Sequence, residues 1–454
     1  MLQTPLLRAS EHDILWDVID EHLCEASFLY EQLEGQLEHP LLSLAEVARG
    51  VESRLLAHLD GLVVGGDITA ERVLVPALSG SSEEGLSGTC VATMALLQGG
   101  HGEQVWAKLV EAEQLAQRAI LRGCLLAESE DMKIRAERAL FGSRYSRPDE
   151  LLVLLAGDKL DAQALSRFLE SDEPTVVAAA AKVASRGAVR SLAPRMLSLL
   201  SHPDPKVYHA AALGCLAWGI PGAWAQFWQR SVVGQPGAES LALFALLSPL
   251  APPQELPRRI LSTQVLMDLL AQQAHQKAAL FALGFCGDLD VLPVLLAQLQ
   301  PQAERDSVHA KLALQSISLL TGLDLNDATY VEPNPELAEE ADGESQAAAL
   351  PTVDQEDLSA SLLLTPEDFL PMPQVAAVQK YCSDRLAQLP ARQQCLRGQA
   401  MGMGTLLDAL ANAPMRVRHV LGLGLGVSSG GRCWLDTRAL VQTQQRQLRT
   451  FANA

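Results

Sequence analysis

The chain opens with apolar residues at Ile14, Leu15, Val18, Ile19, Leu23, Phe28, Leu29 and Leu33, the three-and-four spacing of an amphipathic helix. LLSLAEVARGVESRLLAHLDGLVVGG predicts another helix pair, so residues 1–65 read as an N-terminal helical cap. Beyond it the pattern repeats. SDEPTVVAAAAKVASRGA from Ser171 resembles SHPDPKVYHAAALGCLAWGI from Ser201, with Pro174 and Pro205 31 positions apart. Further copies start at Ala274 and Ser307, where Leu283 and Leu314 are again 31 apart. A degenerate copy, ESLALFALLSPL, starts at Glu239, and two weaker ones lie between Ala70 and Gly142.

Each copy has the same grammar. A turn with Pro, Asp or Gly leads into an Ala-rich helix, a Gly (Gly187, Gly219, Gly287) ends it, and a Leu-rich helix such as VLPVLLAQLQ closes the unit. Asp204 and Pro205 predict a helix start, with Asp near the N-cap and Pro at N1, where its missing N–H costs nothing. One hairpin of this kind cannot bury its own apolar face, so the repeat predicts stacked hairpins, an all-α solenoid over residues 66–325.

From residue 326 to 373 the character changes. No Lys or Arg occurs between Lys311 and Lys380, while Glu332, Glu336, Glu339, Glu340, Asp342 and Glu344 crowd the gap. Such a stretch buries too little apolar surface to offset its ordering entropy, so a flexible acidic linker is expected, a solvated spacer first, with an acidic arm that docks on a basic partner through LSASLLLTPEDFLPMP as the alternative. Residues 374–454 form a last helical segment whose NAPMRVRHVLGLGLG reads as a terminal repeat. The basic, Gln-rich RALVQTQQRQLRT at its end is expected to close the array or meet an acidic partner.

Composition narrows the functional classes. Hydrophobic residues make up 48% of the chain and aromatics only 4%, which favours close-packed helices over a β-sandwich. A formal charge of −19 argues against a nucleic-acid partner. No apolar run is long enough to span a bilayer, and no signal peptide is predicted. The eight cysteines are scattered without a CxxC pair, as expected of reduced thiols in the cytoplasm. The run Gly422 to Gly431 lacks the spacing of a nucleotide loop, and neither HExxH nor GxSxG is present. The reading is therefore a non-catalytic protein with no cofactor and no metal. Its candidate partner-binding residues are Trp218, Trp224, Phe227 and Trp228, the last three spaced to share one helix face.

Asp204, Val207, Ala211, Ala212, Leu213 and Gly214 resemble the second-helix pattern of HEAT repeats, with Tyr208 or His209 where that family carries Arg. Nearly the whole chain resembles one bacterial family of HEAT-like proteins. The motifs, in order, are ILWDVIDEHLCEASFLYEQLEGQL, LTGLDL, LRGQAMGMGTLLDAL and RHVLGLGLGVSSGGRCWLDTRALVQTQQRQL. The resemblance implies an accessory role beside type VI secretion spike and effector genes, as an adaptor or chaperone that binds a secretion protein. The alternatives are an enzyme on a HEAT scaffold, lyase-like or glycosylase-like, and a secreted effector.

Overall fold

The computed structural model describes residues 14–80, 85–142, 147–157, 160–232, 237–252, 254–255, 262–300, 307–332, 365–389 and 393–453. Most of the acidic stretch, 333–364, lies outside them. The described residues are all-α apart from one two-stranded hairpin, and none of their helices is long and apolar enough to cross a membrane. Contacts divide the chain into two compact units. This partition differs from the four predicted segments, because residues 374–428 fall in one unit and 429–454 in the other.

Unit 1 comprises Met1–Leu37, Ser43–Ala223 and Ser429–Ala454. Its first helix, α1 (Trp16–Gln36), buries Ile19, Leu23, Ala26, Leu29 and Leu33 against α2 (Ser53–Val64) and α3 (Gly85–Gln98). Before α2 the chain makes a short helix, Leu44–Val47, started by a capping box between Ser43 and Glu46. A π-turn, Ala48–Glu52, follows, with Gly50 at φ −88°, ψ −107°. This widened turn carries Glu52, whose side chain is buried. The series continues with α4 (Gly102–Glu111), α5 (Gln114–Ala127), α6 (Glu130–Phe141), α7 (Pro148–Leu154), α8 (Ala162–Leu169), α9 (Pro174–Arg186), α10 (Ala193–Leu199) and α11 (Pro205–Trp218). Helices α3, α5, α7, α9 and α11 pack each on the next, and α4, α8 and α10 pack on the helix that follows them.

Small residues set the helix spacing. A Cβ on Gly123 of α5 would lie 2.6 Å from Thr93 Cβ and 2.7 Å from the Cys90 carbonyl oxygen of α3. On α9, Ser185 donates to the Ala181 carbonyl at 2.7 Å and across to the Ala210 carbonyl of α11 at 3.1 Å. The start of α11 is as expected: Asp204 accepts from the N–H of Lys206 at 2.8 Å and of Val207 at 3.3 Å, and Gly219 ends the helix in the left-handed region at φ 68°. At the end of α9, however, Gly187 stays right-handed at φ −75°, and Ala188 takes the positive φ of 53°.

Unit 2 comprises Glu38–Leu42 and Trp224–Ser428. It contains α12 (Ala223–Val232), α13 (Ala238–Leu247), α14 (Ser262–Leu270), α15 (Gln276–Leu283), α16 (Leu292–Ala297), α17 (Ser307–Thr321), α18 (Val375–Leu386), α19 (Met403–Asn412) and α20 (Met415–Ser428). Helix α13 packs on α15 and α15 on α17, with Ser316 of α17 donating to the Leu280 carbonyl at 2.5 Å. The terminal repeat-like pair α19–α20 does not continue past α17. Instead α20 packs on α13, where a Cβ on Gly424 would meet Leu246 Cδ2 at 2.4 Å. The place beyond α17 goes to α18 and to the hairpin of β1 (Cys395–Leu396) and β2 (Gln399–Ala400). The backbone N–H groups of Arg397 and Gly398 donate to the Leu319 and Leu320 carbonyls, and the Tyr381 hydroxyl donates to that of Thr321, so the C-terminal end of α17 is satisfied. The last helix, α21 (Val441–Ala452), belongs to unit 1.

Candidate partner-binding site

The four aromatic residues singled out by the sequence do not form one exposed patch. Trp218 ends α11 in unit 1 and is 8% exposed. Trp224, Phe227 and Trp228 lie on α12 in unit 2, where Trp224 is 4% and Phe227 1% exposed and Trp228 is half-buried. Their rings build a core cluster around Phe244. Ring centroids are 6.5 Å apart for Trp224–Phe227, 6.3 Å for Phe227–Phe244 and 4.9 Å for Trp228–Phe244. Edge and tilted contacts at these distances hold the ring faces against one another rather than offering them to solvent.

A different feature of unit 1 has the form of a binding site. Between Ser429 and α21 the chain runs as an irregular segment over the repeat helices. Gly431, Cys433, Leu435, Thr437 and Ala439 are buried, while Arg432, Trp434, Asp436, Arg438 and Leu440 are half-buried or exposed. That period of two is the pattern of a peptide laid with one edge against a surface. Sequence periodicity missed the segment because its buried row (Gly, Cys, Leu, Thr, Ala) carries almost no hydrophobic signal.

The helices hold this segment mainly through its backbone. Arg190, just beyond α9, donates to the Gly430 carbonyl at 3.3 Å, and Gly431 lies beside the Trp218 indole. Arg122 of α5 donates to the Arg438 carbonyl at 2.9 Å while its guanidinium is paired with Glu34 of α1 at 2.6 Å. Glu52 accepts from the Val441 N–H at 2.7 and 3.0 Å, which places a carboxylate at the N-terminus of α21. Burial raises the Glu52 pKa, and the backbone hydrogen bonds from Val441 and Gln442 oppose that rise. Further along, Glu128 at the left-handed end of α5 pairs with Thr443 and Arg446 of α21.

Beside the segment stand two cations of α9. Lys182 and Arg186 are four residues apart and so share one helix face. Neither makes a hydrogen bond or ion pair within the described residues. Water reaches the exposed Lys182 side chain, yet partial desolvation and then the neighbouring Arg186 lower its pKa, with Arg438 adding to the effect and Asp436 opposing it. The pKa of half-buried Arg186 is likewise lowered by desolvation, and Asp436 is the group acting against it. The Asp436 backbone N–H donates to Gln447 at 3.0 Å, and its side chain accepts from the Arg438 N–H at 3.2 Å.

The thiols add no reactive centre to this surface. Cys24 is exposed and the other seven are buried, with burial pushing Cys90 up to about 12. Iodoacetamide at neutral pH is expected to label Cys24 and spare the rest in the folded chain, read as one adduct by intact mass. Rapid labelling of a second cysteine under native conditions would contradict the buried positions. Among the described residues no group of three or more His, Cys, Asp or Glu is arranged to hold a metal ion. Comparison of the chain with protein-family models, with curated proteins and with solved structures finds no match.

Proposed function

We propose that this chain is a non-catalytic protein-binding scaffold, with its hairpins stacked as a HEAT-like solenoid. Its role is that of a cytoplasmic adaptor or chaperone for a type VI secretion effector or spike component. The observation that carries the binding role is the segment 429–440. A face that holds peptide backbone through Arg122, Arg190 and Glu52 has the donors and acceptors that peptide recognition requires. The packing of α3, α5, α7, α9 and α11 in series supports the solenoid, because that contact pattern lets each hairpin bury what its neighbour exposes. The secretion context rests on the sequence resemblance.

The test is a pull-down of the tagged full chain from its native cytoplasm at moderate salt, read by mass spectrometry. One effector or spike protein in near-stoichiometric amount is the expected result. Recovery of the chain alone, or with a small molecule or nucleic acid instead, would overturn the adaptor reading in favour of an enzyme on this scaffold.

A further inference from the structure

Where α1 packs on α2, two imidazoles meet. His22 of α1 and His58 of α2 stand with their Nδ1 atoms 3.0 Å apart and their rings crossed at 73°, both half-buried and so within reach of solvent. One Nδ1–H donates to the other Nδ1, so a single proton lies between the rings. The backbone makes room for this meeting. Gly61 follows His58 by one turn of α2, and a Cβ there would stand 2.6 Å from His22 Nε2 and 2.7 Å from His22 Cδ2. The missing side chain is the seat of the His22 ring. Helix α1 also carries Asp17, Asp20, Glu21, Glu25, Glu31 and Glu34 and neither Lys nor Arg, and Glu25 lies one turn from His22 on the same face. The local charge therefore favours a cation.

We propose that His22 and His58 form a two-nitrogen site for a divalent late transition metal, Cu²⁺ or Ni²⁺, which staples α1 to α2. The distance carries the choice of ion. Metal–imidazole bonds are about 2.0–2.1 Å long, so two nitrogens 3.0 Å apart subtend roughly 90–97° at a shared ion. That is the cis angle of a square-planar or tetragonal ion, the geometry of Cu²⁺ and Ni²⁺ with nitrogen ligands. A tetrahedral Zn²⁺ needs the nitrogens further apart. On binding, the ring that held its proton on Nδ1 takes the Nε2–H tautomer, and both Nδ1 lone pairs face the ion. The turn this needs is about χ2, a soft torsion in His. Two protein ligands leave the other positions to water. Because those ligands sit 36 positions apart on different helices, an ion held by both favours the folded chain over the unfolded one. The site is independent of the scaffold role.

The experiment titrates Cu²⁺ into the full chain, followed by isothermal calorimetry, electron spin resonance and thermal unfolding. Cys24→Ser serves as the parent background, because the exposed Cys24 thiol is itself a copper ligand. One equivalent of Cu²⁺ is expected to bind with nitrogen couplings from two imidazoles and to raise the unfolding temperature. His22→Gln and His58→Gln each remove one of two ligands and are expected to weaken binding by at least about tenfold and to abolish the thermal shift. Both positions are half-buried, and unfolding without added metal checks that each variant folds. Gly61→Ala keeps both histidines but fills the seat of the His22 ring, so it is expected to weaken binding severalfold, as it would not for histidines paired by chance. Affinity unchanged in both histidine variants would overturn the site. Binding without a thermal shift would overturn the staple, and Zn²⁺ held more tightly than Ni²⁺ would overturn the choice of ion.

Discussion

Phe227→Ala is expected to destabilise unit 2 by about 3–5 kcal/mol, the cost of truncating a fully enclosed aromatic side chain. Phe227 is 1% exposed, and its ring meets both Trp224 and Phe244. The cavity cannot be refilled by small shifts, because those neighbours are themselves large rings held against one another. Since a domain's whole stability is on the order of 5–15 kcal/mol, the loss is large enough to move a urea midpoint well outside error. Equilibrium unfolding followed by tryptophan fluorescence measures it directly, with Trp224 and Trp228 as reporters. A change under about 1 kcal/mol would contradict the core assignment of Phe227.

Gly123→Leu is expected to disrupt the packing of α3 on α5. Even the Cβ would stand 2.6 Å from Thr93 Cβ and 2.7 Å from the Cys90 carbonyl oxygen. Neither yields easily, since Thr93 is β-branched and the carbonyl belongs to a helix backbone. Overpacking of this kind costs about 1–3 kcal/mol or more, which outweighs the roughly 1 kcal/mol gained by removing a glycine from a helix. Gly35→Ala is the control. Gly35 lies in α1 with nothing within 4 Å of the added methyl, so only the propensity gain of about 0.5–1 kcal/mol remains. Thermal unfolding of the two variants should move in opposite directions. A neutral Gly123→Leu would mean that α3 and α5 are further apart than the glycine contact requires.

Local rules wrote the elements into the sequence. Asp204 and Pro205 start α11 because a carboxylate and an N–H-free residue suit the first turn of any helix, whatever lies around it. The stripe Ile19, Leu23, Leu29, Leu33 found its partner helices because its spacing is a property of the helix alone. Where two local solutions are nearly equal, the sequence chose less firmly. Either Gly187 or its neighbour satisfies the turn after α9, and the strain of a positive φ fell on Ala188.

The candidate site was less legible. Tryptophans spaced on a helix face look the same whether that face meets solvent or Phe244, so the sequence left Trp224 and Phe227 open between core and partner anchor, and the structure buries both. The segment 429–440 gave no periodic signal, and its significance depends on Arg122, Arg190 and Glu52, which lie hundreds of positions away in the chain.

By itself, then, the sequence determined that the chain is helical, where most helices begin, and which residues of each helix seek burial. Those choices depend on backbone geometry and hydrophobic spacing within a few turns. Only the tertiary structure decided that α20 packs on α13 instead of following α17, and that the tail returns to unit 1. These depend on which apolar faces and charges remain unsatisfied after the local elements have formed, a property of the assembled surfaces that no window of sequence contains.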